Sequence, residues 1–297
     1  MYLAEVMNGR GLYQHASGWT DKLGSTAATN QLQVILRRAH QVMYHLQNLG
    51  TCEAAARAQF NTHVSRVTPN APTLYGSSPL VECLVIELSE AFAALRILQN
   101  ESWQFLTAAF GVLDAPPSMR DAFKTMSRPR RQGEKRARWM ARVPQEAAQA
   151  VMAYWRSCGE LVATYRDVDQ HHDILARGCK LILADGRISK VVIWLPDNPT
   201  VVSARRFTYE TDVDGAAFVQ SGFEATHVML EDIAKAQGAG AKPLAATIDL
   251  QPAIRHEPGV NRSTALFLWD RPGEKGLLLG QDAEMHVTLA SFSTAPP

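Results

Sequence analysis

The sequence contains few cysteines and no long apolar run. Only four of its 297 residues are cysteines, no two of them have Cys-x-x-Cys spacing, and Cys83 and Cys158 fall in apolar helical patterns, where a thiol behaves as a small hydrophobic group. No stretch approaches the roughly 18 uninterrupted apolar residues of a membrane span, and no basic segment followed by an apolar run begins the chain. We therefore expect a cytoplasmic protein with reduced thiols, no membrane segment and no signal peptide.

Net charge is also small. The formal charge is +1, with 46% apolar and 20% charged residues, which is ordinary for a globular protein, and the length suffices for two domains. The charge is unevenly divided, because residues 179–297 contain 11 Lys and Arg against 14 Asp and Glu, and residues 1–178 contain 19 against 15. The amino-terminal part is therefore the basic part.

Apolar residues at helical spacing dominate the first 178 residues. Glycines, prolines and capping residues divide this region into segments. The predicted helices are Asn30 to Gly50, Glu53 to Phe60, a long helix from Ser78-Pro79 to Phe110, a short helix from Ser118 to Met126, and Gln145 to Gly178. We predict an all-α helical bundle domain over residues 1–178.

After Gly178 the apolar period changes from helical to strand-like. Two apolar runs flank Asp185-Gly186, which is typical of a β-hairpin, and a helix of roughly Ala216 to Gln237 follows Gly215. The predicted strands are Lys180 to Leu183, Ile188 to Leu195, Thr200 to Tyr209, Ala245 to Leu250, Ala265 to Trp269 and Met285 to Phe292. One helix among strands indicates the α+β class, so we predict a smaller α+β domain with a mainly antiparallel sheet over residues 179–297.

The helix predicted from Gln145 to Gly178 carries polar residues where its apolar stripe should continue. Asp169 and His172 occupy stripe positions, and a buried polar group needs a hydrogen-bonding partner. One interpretation is structural: Arg166, Asp169 and the histidines at 171 and 172 form a buried, salt-bridged network that fixes how this helix packs.

A second interpretation is catalytic. Arg166-x4-His171, or Arg166-x5-His172, with Asp167 directly after the arginine and near the end of an all-helical region, resembles the Rx4-6H signature of the HEPN superfamily. The resemblance covers roughly residues 30–178. It implies a small helical bundle that cleaves or binds RNA without a metal or another cofactor, and that forms a homodimer with the motif at the dimer groove.

The chemistry of such a motif can be assigned to residue types. Ribonucleolytic transesterification needs a base for the 2′-hydroxyl, an acid for the leaving oxygen and a cation for the phosphate. We assign the base to His171 or His172, the phosphate contact to Arg166 and the orientation of the imidazole to Asp167. In an unbroken helix Arg166 and His171 lie about 140° apart, so a helix start, a kink or a second subunit is required to bring them together.

A basic segment precedes this helix. Basic residues with an interleaved aromatic are what a phosphate backbone and a stacked base require, although a solvated loop has the same composition. The residues that we predict to contact RNA are Arg128, Arg130, Arg131, Lys135, Arg136, Arg138 and Trp139.

Other chemistry has weaker support. A metal site would combine a histidine at 171 or 172 with nearby aspartates and with Glu87 or Glu90, but no paired Glu-x-x-His motif is present, so we expect no metal. Asp212-Val213-Asp214-Gly215 lacks the downstream glutamate of a calcium loop and indicates a turn and a helix start.

Without a nucleophile motif, residues 179–297 are interpreted as a binding module. The alternative function is therefore a non-catalytic helical dimer with a carboxy-terminal domain that binds a partner or ligand.

Overall fold

A computed structural model of the chain describes residues 26–62, 73–76, 78–128, 137–171, 179–200, 206–236 and 238, together with the strand segments 255–256, 263–271, 274–281 and 288–292. The chain divides into two compact units, one over Leu23–Gln237 and a second that includes Gly238–Pro297. Among the helices in these ranges, none combines the length and the apolar content that a membrane span requires.

Two long helices, α1 (Thr26–Asn61) and α2 (Pro79–Ala109), pack against each other in the first unit. They run antiparallel, because Gln31 donates a hydrogen bond to Glu101 (2.5 Å) and Asn48 donates one to Glu87 (3.1 Å). Helix α2 begins as predicted: the hydroxyl of Ser78 accepts from the backbone N–H of Val81 (3.4 Å), and a proline occupies the first turn.

The predicted end of the first helix at Gly50 is wrong. Helix α1 continues through this glycine to Asn61, so the two helices predicted between residues 30 and 60 are one. A glycine inside a helix costs about 1 kcal/mol relative to alanine. Burial of Leu49 and Ala56 on either side of it offsets that cost.

Helix α3 (Met119–Ser127) follows α2 and has the predicted cap. The hydroxyl of Ser118 accepts from the backbone N–H of Asp121 (3.2 Å) and donates to its carboxylate (2.7 Å). After a 3-10 turn (Arg138–Ala141) the chain forms α4 (Gln145–Tyr154), a π-helical turn (Trp155–Gly159) and α5 (Glu160–His171). The helix predicted from residue 145 is thus interrupted by a wider turn.

A four-stranded antiparallel sheet follows, in the order β1 (Thr73–Gly76), β2 (Cys179–Ala184), β3 (Arg187–Leu195) and β4 (Val213–Asp214). The predicted hairpin is present as β2 and β3. Its two turn residues both have positive φ, 52° at Asp185 and 70° at Gly186, as a two-residue primed turn requires. Strand β1 lies between the two long helices in sequence, and no strand was predicted there.

Helix α6 (Gly215–Ala236) completes the first unit. The carboxylate of Asp214 accepts from the N–H groups of Ala216 (3.0 Å) and Ala217 (3.3 Å), which confirms the turn and helix start predicted for this segment. A Cβ at Gly215 would lie 2.6 Å from Leu88 Cδ2, so the glycine lets α6 begin directly against α2.

The sheet and α6 pack onto the helices, so the first unit has one core. Strand β3 contacts both α1 and α6, and α2 contacts α1, α5 and α6. The largest fully buried side chains are Trp103, Trp155, Phe92, Phe105, Ile35, Leu95, Leu98, Leu106, Met119, Leu195 and Met229. The domain boundary predicted after Gly178 falls inside this unit, in which the hairpin and α6 pack on the helical part.

The second unit contains a separate antiparallel sheet in the order β5 (Arg255–His256), β6 (Ser263–Arg271), β7 (Glu274–Gln281) and β8 (Thr288–Phe292). Strands β6 and β8 match two predicted strands, whereas β7 was missed because glycines interrupt its apolar run. The strand predicted at Ala245 to Leu250 lies outside the described residues, and residues 206–209 are not part of a strand. Helices with antiparallel sheets confirm the α+β class.

Candidate anion-binding site

Three helices of the first unit bring four charged side chains together. The carboxylate of Asp167, on α5, accepts a hydrogen bond from Arg120 Nη2 on α3 (2.8 Å) and one from Arg166 Nη1 on α5 (3.2 Å). Arg96, on α2, interacts electrostatically with all three of these residues. We call these four side chains the arginine cluster.

The arginine cluster has an excess of positive charge. Its guanidinium groups carry three positive charges against one carboxylate, which leaves a net charge of +2. Burial raises the pKa of Asp167, but hydrogen bonds and charge from Arg120 and Arg166 outweigh that effect and keep the pKa below its usual value. The side chains of Arg120, Arg166 and Asp167 are about one third exposed, at 35%, 31% and 30%, so an anion from solvent can reach them.

Arg96 is the most enclosed arginine of the cluster. Burial lowers its pKa, the charges of Arg120 and Arg166 lower it further, and the Asp167 carboxylate opposes the shift. Its Nη1 donates a hydrogen bond to Gln99 Oε1 (3.0 Å), and its guanidinium lies over the indole of Trp155, 5.5 Å from the ring centroid. Two neighbours therefore fix the direction in which this guanidinium points.

The π-helical turn supplies the support for Arg96. Gln99 is fully buried. Its Nε2 donates a hydrogen bond to the hydroxyl of Tyr154 (2.8 Å) and one to the carbonyl of Gly159 (3.2 Å). Tyr154 directly precedes the π turn, and Gly159 is its last residue. The amide of Gln99 thus contacts residues at both ends of the π turn. The interruption of the predicted helix is thus coupled directly to the position of Arg96.

Helix α6 closes the same network from the other side. The hydroxyls of Thr226 and Tyr154 share a hydrogen bond of 3.0 Å, and Thr226 donates to the carbonyl of Gly222 (2.8 Å). Tyr154 is buried, and burial is the main reason that its pKa is raised well above the usual value for tyrosine. A chain of hydrogen bonds therefore joins α6, the π turn and α2 to the arginine cluster.

The structure places two of the four predicted catalytic residues in the cluster. Arg166 and Asp167 are neighbours there, but the carboxylate of Asp167 is bound by two arginines. His171 is the last residue of α5, its side chain is outside the described part of the chain, and His172 lies outside it altogether. Because α5 is continuous from Glu160, Arg166 and His171 remain about 140° apart around the helix.

The structural interpretation places Arg166 and Asp169 in one buried, salt-bridged network. The geometry of these two residues does not show such a network. Asp169 accepts a hydrogen bond from Ser89 on α2, and Arg166 is paired with Asp167 and partly exposed. The two residues thus belong to separate contacts. The side chain of His171 and all of His172 lie outside the described residues.

The predicted RNA contacts of the basic segment divide into three groups. Arg128, after α3, and Arg138, in the 3-10 turn, are exposed. Trp139 is only 6% exposed and packs edge-on against Trp103, with ring centroids 5.5 Å apart, so the prediction that its ring stacks on a base needs correction. Arg130, Arg131, Lys135 and Arg136 lie outside the described residues.

Glu87, one of the carboxylates considered as a metal ligand, has other partners. Glu87 accepts a hydrogen bond from Asn48 and forms an ion pair of 2.8 Å with His45. Within the described ranges no group of three or more His, Cys, Asp or Glu side chains is arranged to hold a metal ion.

Arg96 and Arg120 were missed at the level of sequence. Arg96 and Gln99 are polar residues one turn apart within an otherwise apolar stretch of α2, and that pair was an available signal. Arg120 stands in a capping segment, and nothing in its sequence neighbourhood indicates a contact with residue 167.

Comparisons of the chain with models of protein families, with curated proteins and with solved structures find no match.

Proposed function

We propose that the protein binds RNA and that the arginine cluster contacts a phosphate of the RNA backbone. The observation that carries this proposal is the pair of guanidinium groups bound to one carboxylate at a partly exposed position, with Arg96 close enough to interact electrostatically with all three groups. Phosphate is the natural ligand for such a site, because a guanidinium binds two phosphate oxygens with its planar fork of N–H donors.

The surroundings of the cluster favour the same function. Arg128 and Arg138 are exposed on the elements that follow α3, and residues 1–178 carry the positive excess of the chain. Exposed cations outside the cluster favour the binding of a polyanion, because each phosphate that they neutralise releases a counterion. A single small phosphate ion would contact only the arginine cluster. RNA is therefore favoured over a small anion.

We include in the proposal a HEPN-like cleavage step that requires no metal. His171 or His172 accepts the proton of the 2′-hydroxyl as its oxygen bonds to phosphorus, and Arg166 stabilises the charge that develops on the phosphate. The bond from phosphorus to the 5′-oxygen breaks, and the leaving oxygen takes a proton from water. Because Arg166 and His171 face different sides of α5, the histidine is supplied by a second copy of the chain in a homodimer. The competing function is RNA binding, or dimerisation alone, without cleavage.

Binding is tested by fluorescence anisotropy of a labelled single-stranded RNA between 50 and 200 mM salt. The variants are Arg120→Gln and Arg166→Gln, and the control is Arg187→Gln, which removes an exposed charge at the start of β3. Each cluster variant should weaken binding and reduce the slope of log affinity against log salt by about 0.7, the value for one contact to a single strand. No binding by the wild type, or an equal loss in the control, would refute the proposal.

Cleavage is tested separately with a mixed RNA pool in EDTA. The wild type should cut, Arg166→Gln should bind more weakly and lose cutting, and the double variant His171→Ala, His172→Ala should bind without cutting. Binding without cleavage by the wild type would reject the ribonuclease step and leave the RNA-binding function. Size-exclusion chromatography with light scattering measures the dimer, and a monomer that cleaves RNA would contradict the shared site.

A further inference from the structure

An aromatic and cationic stack lies beside the arginine cluster. The rings of Phe123, on α3, and Trp155, in the π turn, are stacked with centroids 5.9 Å apart and planes 29° apart. The guanidinium of Arg156 lies over the Phe123 ring, 5.8 Å from its centroid. This contact gives the flexible arginine a flat surface on which its planar group rests.

The stack passes from the core to the surface. Trp155 is buried at 1% exposure, Phe123 is half-buried and Arg156 is exposed. The guanidinium of Arg156 therefore lies over the Phe123 ring on a side chain that is exposed to solvent. Planar guanidinium groups and aromatic rings are the surfaces on which proteins stack unpaired bases.

Both ends of the stack are connected to the phosphate site. Phe123 follows Arg120 by three residues on α3, so the two side chains share one face about 4.5 Å apart along the helix axis. Trp155 lies under the Arg96 guanidinium and is adjacent in sequence to Arg156. The stack and the arginine cluster are thus linked through Phe123 and Trp155.

We propose that Arg156, supported by Phe123, is a stacking platform for one unpaired base of an RNA whose phosphate is bound by the arginine cluster. This inference rests on the proposed RNA-binding function and narrows its substrate to single-stranded RNA. Bases in a duplex are stacked on both faces by their neighbours, so they cannot use the platform without being extruded.

The test uses the variant Arg156→Lys, which retains the positive charge and removes the planar group. Arg187→Lys is the matched control at an exposed arginine of β3. Anisotropy is measured with a single-stranded RNA of about ten nucleotides, with the same RNA carrying one abasic site at each position in turn, and with the corresponding duplex. Arg156 is exposed, and the thermal melting curves of both variants should overlay that of the wild type.

The wild type should bind the single strand at least about five-fold more tightly than the duplex, and one abasic position should lower the affinity by a similar factor. In Arg156→Lys that abasic effect should disappear, the preference for the single strand should fall, and the salt slope should stay unchanged. Equal affinity for single strand and duplex, or an abasic effect that persists in Arg156→Lys, overturns the platform and leaves the phosphate contact standing. Failure of the wild type to bind any of these RNAs overturns the proposed function itself.

Discussion

Among the glycines in helical segments of the first unit, Gly50 and Gly159 are positions at which alanine should have opposite effects. At Gly50, in α1, a Cβ would have nothing within 4 Å. At Gly159, which ends the π turn, a Cβ would lie 3.0 Å from Tyr154 Cε1 and 3.2 Å from Trp155 Cε3. Both rings are buried, so they cannot move aside into solvent.

The magnitudes follow from helix propensity and packing. Alanine is better than glycine inside a helix by about 0.5–1 kcal/mol, and Gly50→Ala should realise that gain as a rise in melting temperature of about 1–4 °C. Gly159→Ala has the same propensity gain, but it over-packs two buried rings at a cost of about 1–3 kcal/mol. The free energies of unfolding of the two variants should therefore differ by about 1–3 kcal/mol, with Gly159→Ala the less stable.

The assay is urea unfolding followed by both tryptophan fluorescence and far-ultraviolet circular dichroism, with coincident curves as the check on two-state behaviour. RNA binding gives a second readout, because Tyr154 and Trp155 position Gln99 and Arg96. We expect weaker binding in Gly159→Ala and unchanged binding in Gly50→Ala. Equal stability of the two variants would refute the packing described for the π turn.

Two further predictions concern the helix cap and the cluster carboxylate. Ser78→Ala should lower the free energy of unfolding, measured by urea titration, by about 0.5–1 kcal/mol. This value lies in the lower half of the range for N-caps, because the hydrogen bond from Val81 N–H to the Ser78 hydroxyl is long at 3.4 Å. Ser77→Ala is the control. The pKa of Asp167 is depressed in the folded chain, so its contribution to stability is complete above the unfolded value near 3.8 and is lost as the pH falls through the folded pKa. Asp167→Asn should therefore flatten the dependence of unfolding free energy on pH below about pH 4 relative to wild type, and an unchanged acid limb would contradict the ion pairs.

Features that depend on neighbours in sequence were predicted correctly. The cap at Ser78, the capping box at Ser118 and the turn at Asp185-Gly186 each consist of contacts within four residues, so the local sequence contains all of their partners. The helix start at Asp214 belongs to the same class. For such features residue type and spacing determine the geometry before any tertiary packing is considered.

Features that depend on distant contacts were not predicted. Strand β1 has four residues and forms only because β2 pairs with it across more than a hundred residues of sequence. The continuation of α1 through Gly50 depends on burial of its flanks, and the π turn depends on Gln99 from another helix. The hydrophobic period identifies a helix, but it does not report a single inserted residue that widens one turn.

The candidate site is the feature for which prediction from neighbouring residues and the observed structure differ most. Arg166 and Asp167 were selected from a motif, whereas Arg96 and Arg120 join them only through the packing of α2 and α3 on α5. One carboxylate does not neutralise three guanidinium groups, so the like charges repel one another. The chain nevertheless contains the arginine cluster and holds Arg96 with the buried side-chain amide of Gln99. A local feature that does not favour stability is expected at a functional site. A bound anion removes the repulsion, and this is the physical reason to seek the function of the protein there.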